Sequence, residues 1–229
     1  MSDDDSRPTK ALAPTRKGAL TRTKLLEAGK KAFSVYGYDV ARVADVARIA
    51  GVSHGNFYRH FTDKDDLLHC VLEELHQELR RPSAIKRVSA NRNMLTEMID
   101  RNTDFFTTYA ANRDMLRVAR EAAAKPSPNP FLKTWLEMRV PFIERNQRWM
   151  LRFQAEGAID ASVNVNLMAE ALGSMIEQLA YVHVGLPETV PSLDELNELG
   201  RTCGLIWFRS IFGSETPEPA LSQTTAQDQ

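Results

Sequence analysis

Little in this sequence suits an oxidising exterior or a lipid bilayer. The 229 residues contain two cysteines, Cys70 and Cys203, too few for a disulfide framework. Both fall in apolar helical patterns and read as reduced core residues. No run approaches 18 uninterrupted apolar residues, so no membrane span is expected. The opening Met-Ser-Asp-Asp-Asp carries no apolar stretch and does not read as a secretory signal. A cytoplasmic protein without a membrane partner is therefore expected. Enzyme signatures are equally scarce. There is no Gly-rich phosphate loop, and no His or Cys cluster has metal-ligand spacing. His69 and His76 stand seven apart without a partner arranged for zinc and read as helix-surface residues, while His183 is lone and structural. No enzyme activity, metal or cofactor is expected. Nor does any segment alternate apolar and polar residues as a strand would.

What is present is helix and an uneven charge. The formal net charge is only −1. Residues 7–64, however, hold 12 Lys/Arg against 4 Asp/Glu, and residues 65–229 hold 17 against 23. A basic segment of that size can attract a polyanion, although a solvated basic face would look the same. Residues 1–18 read as a disordered basic arm with an acidic tip, and 214–229, rich in Pro, Thr and Gln, as a disordered tail. Between them the spacing predicts an all-α protein of about nine helices, in two domains. A three-helix helix-turn-helix domain over 19–80 is followed by a larger helical domain over 85–213, with Pro82 at the boundary.

Apolar residues three and four apart predict a first helix over Leu20–Tyr36, stopped at Gly37, where positive φ is needed. Val43–Ala50 is the second, stopping at Gly51. A third opens at Ser53, whose hydroxyl can cap it, and runs to about Phe61. A fourth, capped by Thr62 or Asp63, continues to Arg80. Two helices joined by so short a turn must cross steeply. Ala47 and Ala50 allow close approach, and Val46, Val52, Phe57 and Phe61 supply an apolar plug. The other face of the third helix carries His54, Gly55, Asn56, Tyr58, Arg59 and His60, where a merely solvated helix would favour Glu, Lys and Gln. Gly55 costs roughly 1 kcal/mol in a helix interior. It suits a place where DNA, or another helix, must come close. From spacing alone, a core helical hairpin remains open as an alternative.

The string Tyr36-Gly-Tyr38, Asp45-Val-Ala47, Ala50-Gly-Val-Ser53, Gly55, Phe57-Tyr58, His60-Phe61, Lys64 and Leu67-Leu68 resembles the TetR family of bacterial repressors over about residues 20–70. The resemblance implies a DNA-binding domain, a helical domain with a small-molecule pocket, and a homodimer paired through its last two helices. It places His54 and Gly55 against base edges with Tyr58 and Arg59 beside them. Ser53, Asn56, His60 and Lys64 belong to the same surface, the last three towards phosphates. Lys17, Arg16 and Arg22 extend the footprint. Ala41 and Arg42 replace the Thr-Ser or Thr-Thr often found before the second helix. That removes a cap and offers Arg42 to a phosphate, while Ala44 lacks the base-reading side chain of some relatives. The expected partners are a pseudo-palindromic double-stranded operator and a small hydrophobic ligand.

Further helices are expected over Met94–Ala111, Arg113–Ala124, Phe131–Glu156 with a possible kink at Pro141, Val165–Val184 and Leu193–Phe212. Met98, Phe105, Phe106, Tyr109, Trp135, Met138, Phe142 and Trp149 can line an adaptable apolar cavity or form an ordinary core. Asn102, Tyr109, Glu137 and Gln178 are polar candidates for orienting a ligand. The last two helices offer Leu172, Met175, Ile176, Leu179, Leu199, Cys203, Ile206 and Trp207 as a dimer interface. Gly173, Ser174, Gly200 and Gly204 permit close helix contact, and a buried pair in a monomer core is the competing arrangement. At the level of function, a ligand-binding module or an α-helical enzyme with a vestigial helix-turn-helix is the alternative to a regulator.

Overall fold

A computed structural model describes residues 16–80 and 93–213; the expected arm over 1–15, the Pro82 boundary and the 214–229 tail lie outside the described residues. Among those described, the chain is all-helical, with α1 Arg16–Val40, α2 Val43–Ala50, α3 His54–Phe57, α4 Lys64–Arg80, α5 Met94–Ala111, α6 Arg113–Ala123, α7 Pro130–Ala155, α8 Val165–Ala180 and α9 Leu193–Phe212. Residues 16–18 belong to the first turn of α1 rather than to a disordered arm.

The helix ends follow from local chemistry. Gly37 takes φ 72°, as its expected stop requires, yet one further turn follows it, and that turn swings Tyr38 inward. Gly51 closes α2 with φ 67°, and the Val52 N–H reaches back to the Ala47 carbonyl at 3.0 Å. Ser192 and Glu195 cap α9 reciprocally, the Ser192 N–H donating to Glu195 Oε2 at 2.7 Å and the Glu195 N–H to Ser192 Oγ at 3.3 Å. The expected helix Val165–Val184 ends sooner, at Ala180, and passes into a π-helical turn over Tyr181–Gly185. α7 runs on through Pro141.

The chain forms two compact units. The first joins residues 16–78 to 118–135. Its core is Leu25, Phe33, Phe57, Leu67, Leu68 and Leu72, all fully buried. Each such side chain contributes roughly 1.5–3 kcal/mol through removal from water. The later segment was not legible as part of this unit. The Phe131 ring meets Tyr38 at 5.4 Å, and Lys125 pairs with Asp39 across 86 residues of chain.

The second unit comprises 79–117 and 136–213, and α5 packs along α9. A Cβ at Gly200 would stand 2.6 Å from Thr103 Cα, and one at Gly204 2.7 Å from Ile99 Cα. These glycines therefore serve a crossing inside the protomer, not a contact with a second subunit. Gly173 is filled in the same way by Ile143 and Phe142 of α7. Arg139 ties α7 to α8 through Glu177 at 2.6 Å, Glu170 at 2.9 Å and Ser174 at 3.1 Å.

Candidate nucleic-acid interface

Three short-range features set the helix-turn-helix. Arg42 stands in the cap position of α2 with extended backbone, and Asp45 Oδ2 accepts its N–H at 3.2 Å. Half of a reciprocal cap thus survives the loss of Thr or Ser. Asp45 also meets Arg48 at 3.1 Å, and these contacts, Arg48 first, hold its carboxyl below the usual carboxylate range. At α3, Ser53 Oγ accepts the Asn56 N–H at 3.3 Å, as expected. At α4, Asp63 is the capping residue, taking the Asp66 N–H at 2.8 Å, while Asp66 Oδ2 accepts the Thr62 N–H at 2.8 Å.

The third helix is shorter than expected. Only His54–Phe57 is α-helical. Tyr58 to His60 continue as tighter turns, with the His60 N–H on the Phe57 carbonyl at 2.9 Å and the Phe61 N–H on the same carbonyl at 3.1 Å. Val46, Phe57 and Phe61 are buried beneath it, and Val52 is half-buried. Ser53, His54, Gly55, Tyr58 and Arg59 are exposed, with Asn56 and His60 half-buried at the edges. The Tyr58 ring is 51% exposed although it touches both His54 at 5.2 Å and Phe57 at 5.3 Å, so it is oriented but not covered. Among the described residues, none outside the local helix backbone lies within 4 Å of where a Gly55 Cβ would stand. Packing of another of the described helices therefore does not explain that glycine.

The expected cations divide into two groups. Lys17, Arg42 and Arg59 are exposed beside this face or on the first turn of α1. Arg22 is instead folded into the domain, its guanidinium 4.7 Å over the Phe61 ring and donating to Cys70 Sγ at 3.2 Å. Cys70 itself is half-buried rather than a core residue. Lys64 is also engaged. Its ammonium donates to the Tyr38 carbonyl at 2.7 Å and to the Asp39 carbonyl at 3.4 Å, and lies 4.4 Å over the Tyr38 ring. Burial draws its pKa down. Tyr38 donates to Asp65, and burial, then that bond, push its phenol up. Lys64 thus closes the end of α1 whatever else it does.

The model of the family described as bacterial regulatory proteins, tetR family, matches residues 25–71, the stretch that carries this geometry. That stretch is similar to the amino-terminal DNA-binding domain of TetR-family regulators. The regulator TtgR of Pseudomonas putida is 39% identical over 57 residues, 25% of this chain and 27% of its own length, so the match spans about a quarter of that relative. The Bacillus subtilis regulator YwcC is 27% identical over 194 residues, 77% of this chain and 83% of its own. Beyond the helix-turn-helix the likeness to solved structures is one of fold. The Bacillus subtilis transcriptional regulator FadR, solved with stearoyl-CoA, has a TM-score of 0.62 at 16% identity, covering 84% of this chain and 99% of the FadR chain.

The second unit sorts the remaining expectations. Met98, Phe106, Tyr109, Met138 and Trp149 are buried, and Phe105 and Phe142 are half-buried, with ring centroids 5.0 Å apart. Trp135 is half-buried and belongs to the first unit, and Gln178 and Glu137 are exposed on their helices; an exposed side chain does not orient a ligand in the interior. Leu172, Ile176, Cys203 and Trp207 are buried within the protomer, and Cys203 lies along the same groove as Leu179 and Leu199. Burial also pushes the Cys203 thiol up to about 11. Met175, Leu179, Leu199 and Ile206 keep some exposure. Sequence reading passed over Asn146, which is 5% exposed; its position four residues beyond Phe142 and three before Trp149 was the available signal. Among the described residues no group of His, Cys, Asp and Glu could hold a metal, and no helix is long and apolar enough to cross a membrane.

Proposed function

We propose that this protein is a sequence-specific DNA-binding transcriptional regulator, a repressor that leaves its operator when a small apolar or amphipathic molecule occupies the second unit. The observation that carries this reading is the braced, exposed Ser53–Arg59 face, with open space over Gly55. Lys17, Arg42 and Arg59 supply charge for phosphate contacts, which fix register, while His54, Gly55 and Tyr58 meet base edges. The buried Met and aromatic side chains of the second unit, and stearoyl-CoA in the FadR neighbour, support an amphipathic effector.

A homodimer completes the reading. Leu179 and Leu199 flank a groove of about 430 Å³ that also takes in His183, Pro191 and Thr202. Val182, Leu186, Val190 and Leu193 remain exposed nearby in sequence. Covering this surface with its two-fold copy presents two α3 faces to successive major grooves, about 34 Å apart. Release then requires only that the ligand favour one of two conformations, by about 3–6 kcal/mol for a near-complete shift.

The test is fluorescence anisotropy with the chain's own upstream DNA against scrambled DNA at several salt concentrations. A sequence-dependent affinity that falls steeply with salt supports the reading. Equal affinity for both DNAs returns the chain to a ligand-binding module with a disused helix-turn-helix.

A further inference from the structure

The interior of the second unit contains polar atoms that the fold itself leaves without hydrogen bonds. Asn102 on α5 is 4% exposed and Asn146 on α7 is 5% exposed. Asn102 Nδ2 donates to the Met98 carbonyl at 2.8 Å, but among the described residues Asn102 Oδ1 accepts no hydrogen bond and Asn146 Nδ2 donates none. A buried amide group left unmatched is destabilising, and folded proteins rarely tolerate one without a purpose. The second unit also leaves the Trp149 and Trp207 indole N–H groups and the Arg113 Nε and Nη1 unmatched, but among its described amide side chains there are two such atoms, of complementary type, one acceptor and one donor.

They also share a level. Phe105 of α5 meets Phe142 of α7 at 5.0 Å, and Arg101 of α5 lies 5.4 Å over the Trp149 ring of α7. Asn102 lies between the first members of these pairs and Asn146 between the second, so the two contacts bracket the two amides across one α5–α7 seam. Around them stand Met98, Phe106 and Met150, all buried. Half-buried Phe105 and Phe142 border the seam towards solvent.

We propose that this seam recognises an uncharged, largely apolar molecule carrying one group that both donates and accepts a hydrogen bond, a carboxamide being the simplest. Asn146 Nδ2 donates to its oxygen, and Asn102 Oδ1 accepts its N–H. The assignment rests on the regulator reading and gives its ligand a chemical class. Charge argues against an acid. The buried polar side chains among the described residues are Asn102, Arg113, Thr134 and Asn146. Thr134 belongs to the first unit, and Arg113, whose Nε and Nη1 lack hydrogen bonds, is held at the start of α6 by the Pro187 carbonyl and by Asp114 at 3.7 Å. No buried cation is therefore committed to the seam. Arg101 and Arg145, the latter 5.8 Å over Phe142, keep solvent access at the rim; Arg101 is already paired with Glu97 at 3.1 Å, while partial burial and the like charges of Arg101 and Arg148 draw the Arg145 pKa down. A carboxylate would leave Asn102 Oδ1 facing another acceptor and would lose its own hydration.

Calorimetric titration of the full chain with 2-naphthamide, 2-naphthoate and 2-ethylnaphthalene separates the possibilities. The amide is expected to bind at least about tenfold tighter than either isosteric probe, because only it satisfies both side chains. In the double variant Asn102→Leu, Asn146→Leu that preference should vanish while the thermal midpoint holds or rises, since unmatched polar groups have been removed. Equal or tighter binding of the naphthoate, absence of saturable binding by the amide, or a marked fall in the variant's midpoint with the preference kept would each overturn the proposal. The titrations use protein without DNA. A chain that prefers the amide but ignores its operator sinks the regulator reading alone, and one that holds its operator without preference among the probes sinks this proposal alone.

Discussion

Gly55 and Gly200 are both helical glycines, and they are there for opposite reasons. At Gly200 a single added carbon would collide with the backbone of α5, 2.6 Å from Thr103 Cα. At Gly55 it would meet nothing within 4 Å. The first glycine is explained by its own fold. The second is not, and it lies among exposed His54, Tyr58 and Arg59. A residue that raises the cost of folding without serving the fold is where an external partner is to be sought.

This contrast can be broken by experiment. The largest effect is expected at Gly200→Ala. Two backbones in contact cannot both yield, so overpacking should remove about 1–3 kcal/mol or more of stability, read as a lower midpoint in thermal or urea unfolding. A midpoint unchanged from the parent would mean that the α5–α9 crossing is looser than described. Tyr58→Ala comes next. It should weaken operator binding by about 1–3 kcal/mol while leaving the unfolding midpoint in place, because the ring is half in solvent. Equal operator affinity in both proteins would move base readout elsewhere. Arg42→Ala should weaken specific and scrambled DNA alike and make the salt dependence shallower by about one phosphate per subunit; an unaltered slope would take Arg42 off the interface. The smallest effect belongs to Gly55→Ala. A helix-favouring residue in open space should add roughly 0.5–1 kcal/mol of stability yet impair operator binding. If both quantities improved together, close approach of DNA at this point would be refuted.

Much of the first unit was legible because its signals are local. Gly37, Gly51 and Ser53 each impose one backbone geometry on their neighbours, and each was read from a few residues. The length of α3 was not legible, because turns built mainly on i to i+3 bonds carry Tyr58–His60 along nearly the same path. Arg22 was assigned outward since nothing local reveals that Phe61 and Cys70, 39 and 48 residues away, will receive its guanidinium. The second unit was harder still. Periodicity identifies an apolar stripe but not what covers it, so Leu172, Ile176, Cys203 and Trp207 looked the same as Met175, Leu179, Leu199 and Ile206. Gly200 and Gly204 announced a close approach without naming α5 as the neighbour. Asn146 resembles any surface asparagine until the turns on either side of it are seen to be inward.

The seat of Tyr38 has a consequence for anyone who would cut this chain into parts. Its ring is closed over by Phe131, and the neighbouring Asp39 is tethered by Lys125, both contributed from far beyond the apparent end of the amino-terminal domain. A fragment trimmed after α4, or a chimaera joined there to a foreign sensor, would leave that ring bare and the tether unmade. The transplantable piece of this molecule is discontinuous in the gene, and the excision that looks natural on paper is the one that spoils it.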